Sequence, residues 1–231
     1  CTTGVRAKGA KGIKCEIDNE KNKGTGDVTI NAGNIDIRMA GEGARGIKAD
    51  GNVTVGGGSI LVYVAGQSFE DNDDITNTCG IKSSKNVTVE GGKIAVICAK
   101  TAKSSRCIQA DSTASFVGGQ TTIHQNAKGK ADINNNNLEP KRPRGVQADF
   151  KISIDALKAK FYIRVPENEG WGEEDKYDEY IELKVKPFKT DGKIMLNNSE
   201  YDDTVEELYD EFERTPKDWT YSEIDTLSVF D

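Results

Sequence analysis

The sequence is poor in the groups on which most enzyme and metal chemistry rests. A single histidine, His124, occurs in 231 residues, and the five cysteines (Cys1, Cys15, Cys79, Cys98, Cys107) include no CxxC pair. A Cys/His zinc site therefore lacks ligands. No G-x-S-x-G, HExxH or phosphate-binding loop is present, and His124 has no nucleophile at a diagnostic spacing. Apolar residues make up 35% and aromatics 7%, and no apolar run approaches the roughly 20 residues that a membrane helix requires. No charged-then-apolar leader is seen either, so a soluble chain is expected. What the sequence has instead is glycine, 24 residues of it, with many Asn, Thr and Val. That composition suits short strands joined by tight turns, an all-β body.

The net charge of -7 is unevenly placed: residues 164–231 carry 21 acids against 8 Lys/Arg, and residues 1–163 carry 17 acids against 23 Lys/Arg. A duplex nucleic-acid binder shows a strongly basic domain with a reading motif, and neither is found, so no nucleic-acid partner is expected. The basic body suits an acidic polymer. The odd cysteine count precludes complete internal pairing. Cys79 and Cys107 fall one column apart on successive repeats and Cys98 lies nine residues before Cys107, so either pairing would serve as a bridge in an oxidising compartment.

The repeat is the main signal. "GIKADGNVTV" at 46–55 is echoed by "GIKSSKNVTV" at 80 and "GVQADFKISI" at 145, with further copies starting at Gly12 and Cys107. The starts are 34, 34, 27 and 38 residues apart. A fixed unit is therefore interrupted by loops of different length. Each unit reads as three strands. Period two puts Ile13/Cys15, Ile47/Ala49, Ile81/Ser83, Ile108/Ala110 and Val146/Ala148 on the inner side of the first strand, with Lys14, Lys48, Lys82, Gln109 and Gln147 facing out. The second strand turns Val53/Val55 and their counterparts inward and Thr29, Thr54, Thr88, Ser115 and Ser153 outward. The third places Ile35/Ile37, Ile60/Val62, Ile94/Val96, Thr121/Ile123 and Ala159/Phe161 inward. Gly33, Gly58, Gly92 and Gly119 recur at the corner between the second and third strands, a bend that needs positive φ or close backbone approach.

Equivalent strands must stack on their copies for these columns to align, which predicts a parallel β-helix of about five to six rungs over residues 1–163, spaced about 4.8 Å. Cys1, Thr3 and Val5 align with Ile35, Ile37 and Met39, so the sequence opens in mid-rung. A missing N-terminal portion, or a lipidated Cys1, would account for that. Loops interrupt at 17–27, 65–79 and 126–144. Residues 164–231 read as an acidic C-terminal cap or a small appended α+β domain. It has strands around "YIELKVKPF" and "GKIMLNN" and an amphipathic helix in "DDTVEELYDEFER" presenting Val205, Leu208, Tyr209 and Phe212. Trp171 and Trp219 fall in this segment as packing anchors or sugar-stacking residues.

Candidate chemistry lies on the outer columns. Lys14, Lys48 and Lys82 share a face with Glu16, Asp50, Asp111 and Asp149. Such a ladder is either mutually compensated and solvated or a groove for an acidic sugar chain, with lysines on carboxylates and the aspartates holding calcium. "EDNDD" at 70–74 offers Asp71, Asp73 and Asp74 as further calcium ligands, or is simply a solvated acidic loop. On the third strand Arg38, Tyr63, Ile97, His124 and Tyr162 form an outward column beside Asp36, Leu61, Ala95, Thr122 and Lys160. Tyr63 suits sugar stacking, yet the apolar members favour burial under a loop or the C-terminal segment.

With "GEGARGIKADGNVTVGGGSI" at 41–60, the chain resembles a secreted bacterial carbohydrate-binding β-helix family, whose repeats read roughly G-x-G-x-K-G-I-K-S/A-D-G-N-V/I-T-I-x-G-G-x-I-x-V. Residues 80–94 match well, and the likeness extends over about the first 163 residues. The resemblance implies a right-handed coil similar to pectate lyases. It also implies a secreted or cell-surface location and binding of plant-type or acidic polysaccharide with calcium, mostly without cleavage. The family's aspartate maps onto Asp50, Asp111 and Asp149, with Ser84 and Glu16 as departures. A non-catalytic, monomeric polysaccharide binder is the expectation. The alternatives are a calcium-dependent lyase acting through Lys48 or Lys82, and a structural adhesin or stalk.

Overall fold

The computed structural model describes residues 2–5, 8–17, 24–71, 74–127, 143–166, 185–201, 208–209 and 211–212. Three sheets of stacked parallel strands wrap one core, a parallel β-helix. The first sheet holds Lys11–Cys15, Arg45–Ala49, Cys79–Ser83, Arg106–Ala110, Arg144–Ala148 and Lys186–Thr190. The second holds Val28–Ile30, Val53–Val55, Val87–Val89, Thr113–Phe116, Lys151–Ile154 and Lys193–Leu196, with Ser199–Glu200 antiparallel at its end. The third holds Thr2–Val5, Asn34–Met39, Ser59–Val64, Lys93–Cys98, Gln120–Gln125 and Lys160–Arg164. Among the described residues no helix is long and apolar enough to cross a membrane.

The register is the one the columns require: Ile47 pairs with Ile13 and Ile81, Val53 with Val28 and Val87, Ile60 with Ile35 and Ile94. These inward residues form a single buried cluster. The rungs up to Cys98 present mainly small and β-branched side chains to the same narrow interior, so neighbouring rungs continue one another's packing. At the corner, Gly33, Gly58, Gly92 and Gly119 all have positive φ, between 67° and 96°. A Cβ on Gly92 would lie 2.6 Å from the Gly58 carbonyl oxygen of the rung below, so the bend needs glycine for both reasons.

Two expectations are corrected. The α+β segment expected after residue 163 is not seen among the described residues: Lys186–Thr190 and Lys193–Leu196 extend the first and second sheets by one more rung. Of the helix expected in 202–214, Leu208 and Tyr209 are helical, and Leu208 and Phe212 are buried in the core. Phe212 meets Phe161 edge-on at 5.0 Å, beside Phe116 and Phe188, so large rings fill the C-terminal end of the coil. The third-strand columns are also displaced by two residues in the fifth rung. Phe161 and Ile163, not Ala159 and Phe161, align with Thr121 and Ile123. The cause is the turn after Ile154, where Asp155 accepts the Lys158 and Ala159 amides and replaces the glycine corner. Cys1, Asp73, Trp171 and Trp219 lie outside the described residues.

Candidate functional site

The outer face of the first sheet carries two parallel columns of cationic and amide side chains. Lys14, Lys48, Lys82, Gln109 and Gln147 stack in register as expected, and Lys189 continues them. Beside them runs a second column that sequence reasoning missed: Lys11, Arg45, Cys79, Arg106, Arg144 and Lys186, each the residue before the repeat's first position. The signal was there, since strict alternation would have turned these residues inward. At four of these six positions the following residue is glycine, and the strand slips there. A Cβ on Gly46 would lie 2.2 Å from Val62 Cγ1, so Gly46 occupies inner space that no side chain fits. The residue before it then swings to the outer face. Its membership there is visible in the contacts: Cys79 Sγ lies 3.4 Å from Gln109 Oε1, and Arg106 and Arg144 both donate to Gln147 Oε1.

Carboxylates form a third column at the end of these strands. Lys14 Nζ lies 2.5 Å from Glu16, and Lys48 Nζ lies 2.7 Å from Asp50 and 3.6 Å from Glu16 of the rung below. Lys82 has Ser84 where its own acid would stand, and it pairs with Asp111 of the next rung. Lys189 pairs with Asp191. The ammonium groups hold the Glu16, Asp50 and Asp191 carboxyls below their ordinary range, chiefly by direct hydrogen bonds from Lys14, Lys48 and Lys189. Lys11 is pushed down, first by desolvation and then by the neighbouring Arg45, Lys14 and Lys48. Burial similarly lowers Arg106. The face bears nine Lys and Arg side chains against five carboxylates (Glu16, Asp50, Asp111, Asp149, Asp191). Positive charge remains in excess after pairing.

The second sheet presents a neutral counterpart. An open trough of about 310 Å³ is lined by Asp27, Thr29, Asn52, Thr54, Asn86, Thr88, Thr113 and Ser115. Its amides form a ladder: Asn86 Nδ2 donates to Asn52 Oδ1 at 2.9 Å, Asn52 Nδ2 donates to Asp27 Oδ1 at 3.0 Å, and the Thr113 amide donates to Asn86 Oδ1 at 3.1 Å. Asp27 is held below the ordinary carboxylate range, first by the Asn52 backbone amide. The Thr/Ser column beside it is in register from Thr29 through Ser153. Preorganised amides and a row of hydroxyls at rung spacing form a strip for hydroxylated ligands.

Tyr63 is not brought to either strip. It lies on the outer side of the third sheet, 8% exposed, packed with Ile97, Ala99, Leu61 and Ala65. Burial pushes its hydroxyl pKa up. Ile97 and His124 of the same column are also buried, and Arg164 rather than Tyr162 aligns with His124. For calcium, no group of three or more His, Cys, Asp or Glu that would hold a metal exists among the described residues. Asp50 and Asp111 already neutralise lysines. Asp71 and Asp74 are backbone partners in register in the antiparallel Phe69–Asp71/Asp74–Thr76 hairpin.

The solenoid thus presents long, regular, polar outer strips over an interior filled by side chains. The profile of a family described as carbohydrate-binding domain-containing protein matches residues 1–132, more than half of the chain. The chain belongs to that family. No curated protein and no solved structure matches it.

Proposed function

We propose that this carbohydrate-binding coil takes an acidic polysaccharide, without cleaving it, along the outer face of the first sheet. The observation that carries this reading is the excess of nine cationic side chains over five carboxylates in columns one rung apart. A polyanion laid along the coil axis meets a cation or amide donor at every rung, at steps of about 4.8 Å. Binding rather than cleavage is favoured because Lys48 and Lys82, the bases a lyase would call on, are each engaged with a carboxylate in an ion pair. Glycans of this kind are met outside cells, so the reading carries with it a secreted or surface location. Calcium belongs to it only as a bridge through exposed acids such as Asp149. Affinity measured with and without EDTA separates that bridge from binding by the cations alone.

The trough on the second sheet favours a second reading, a neutral hydroxylated glycan on the Asn/Thr strip. Affinity electrophoresis or calorimetry with polygalacturonate and with a soluble β-glucan distinguishes the two. Salt-sensitive retention by the polyuronate is expected for the cationic face, and retention by the β-glucan alone would transfer the site to the trough. Retention by neither would remove both.

A further inference from the structure

We infer that Cys98 and Cys107 form a disulfide that staples the 99–106 turn to the core. Both side chains are fully buried, and their sulfurs lie 3.3 Å apart. A bond of about 2.05 Å needs a shift of only about 1 Å. Cys98 ends a third-sheet strand and Cys107 stands in the next first-sheet strand, so the bridge would tie one rung to the rung that follows it. Cys107 occupies the column that Gly12, Gly46, Gly80 and Gly145 occupy elsewhere. At Gly46 and Gly80 a Cβ would lie 2.2 Å from Val62 and Val96. Apart from Pro187 in the last rung, a side chain replaces glycine in this column only where a second sulfur stands beside it. The competing partner is excluded by direction: Cys79 faces outward, against Gln109. Cys15 belongs to a strand three rungs away from Cys107.

The reaction balances with a disulfide oxidant of low molecular weight, R–S–S–R. Each thiol gives up its proton, the two protein sulfurs join, and two R–SH leave with the two electrons. Burial pushes the Cys107 thiol well up, which keeps it out of the reactive thiolate form once the rung is docked. Exchange therefore belongs to the folding chain, before the turn closes, and the finished protein resists both oxidation and reduction. The bridge fixes the start of the strand that carries Arg106 and Gln109.

The test is to refold the full chain in a mixture of oxidised and reduced glutathione, and separately in dithiothreitol. Free thiols are then alkylated, and the chain is digested without reduction. Lys100, Lys103 and Arg106 lie between the two cysteines, so trypsin separates them. Mass spectrometry is expected to find their peptides joined and lighter by two hydrogens, and the oxidised protein to unfold about 5–10 °C higher. Cys107→Gly, which restores the residue of the other rungs, should abolish that difference, and Cys79→Ser should leave both the joined peptide and the difference in place. Alkylation of both Cys98 and Cys107 after oxidative refolding, or their pairing with Cys15 or Cys79, would overturn the inference.

Discussion

Lys82 and Asp111 are joined across the boundary between two turns of the coil, a lysine of one rung holding the acid of the next. The cause is local: Ser84 stands in the acid column, so Lys82 has no carboxylate in its own rung. Introducing one by Ser84→Asp draws Lys82 back and adds negative charge to the face. Because Ser84 is exposed, stability should change by no more than about 0.5 kcal/mol. Affinity for an acidic polymer should fall about 2- to 10-fold. Calorimetry on the folded variant checks both.

Arg45 belongs to the column hidden from simple alternation and adds to the local positive potential that lowers Lys11. Arg45→Ala should weaken polyuronate binding by about tenfold, about 1.4 kcal/mol, with a shallower dependence on salt. Thr54→Ala, on the trough side, should leave polyuronate binding unchanged. Equal losses in the two variants would mean that the first sheet is not the binding face.

Gly80→Ala places a Cβ 2.2 Å from Val96 Cγ1 and 2.7 Å from the Cys107 carbonyl oxygen. Both obstacles belong to packed rungs with little room to give, so a loss of about 1–3 kcal/mol is expected. Chemical denaturation measures it. A neutral outcome would contradict the slip of the strand at this position.

The carboxyls of Glu16, Asp50 and Asp191 are depressed by their lysines. A group depressed in the folded state contributes stability that is present above its unfolded pKa and lost as pH falls through the folded value. Below about pH 4 these acids take up protons and release their lysines. A sulfated glycan, still anionic there, should therefore bind more tightly as pH falls through the depressed carboxyl range, below about 4, and a decrease there would argue against the lysines as ligands.

The coil was legible in the sequence because Ile47, Ile81, Val53 and Val87 recur at fixed offsets and each must point inward for the rungs to stack. The sixth rung was legible in principle. "PFKTDGKIML" at 187–196 repeats "GIKADGNVTV" position by position, with Phe188 for Ile47 and Lys189 for Lys48. Proline in place of the leading glycine concealed it. The fifth-rung slip was not legible, because the turn around Asp155 changes the corner length without altering the apolar alternation. Of the candidate site, the lysine and glutamine column emerged whole. The Arg45 and Arg106 column did not, because its outward direction breaks the alternation, and the tight approach of Gly46 to Val62 that accompanies the break joins two different strands. For Tyr63 alternation gives its face but not its burial, which depends on what lies over the third sheet.

The dependence of affinity on ligand length tests the central claim most directly. Six stacked first-sheet strands span about 24 Å at about 4.8 Å per rung. For a series of oligogalacturonates measured by calorimetry, affinity should rise with each added residue until the ligand reaches that span and then level off, with the whole series weakened by salt. An affinity independent of length, or equal for neutral oligosaccharides of the same size, would contradict an axial cationic face as the binding site.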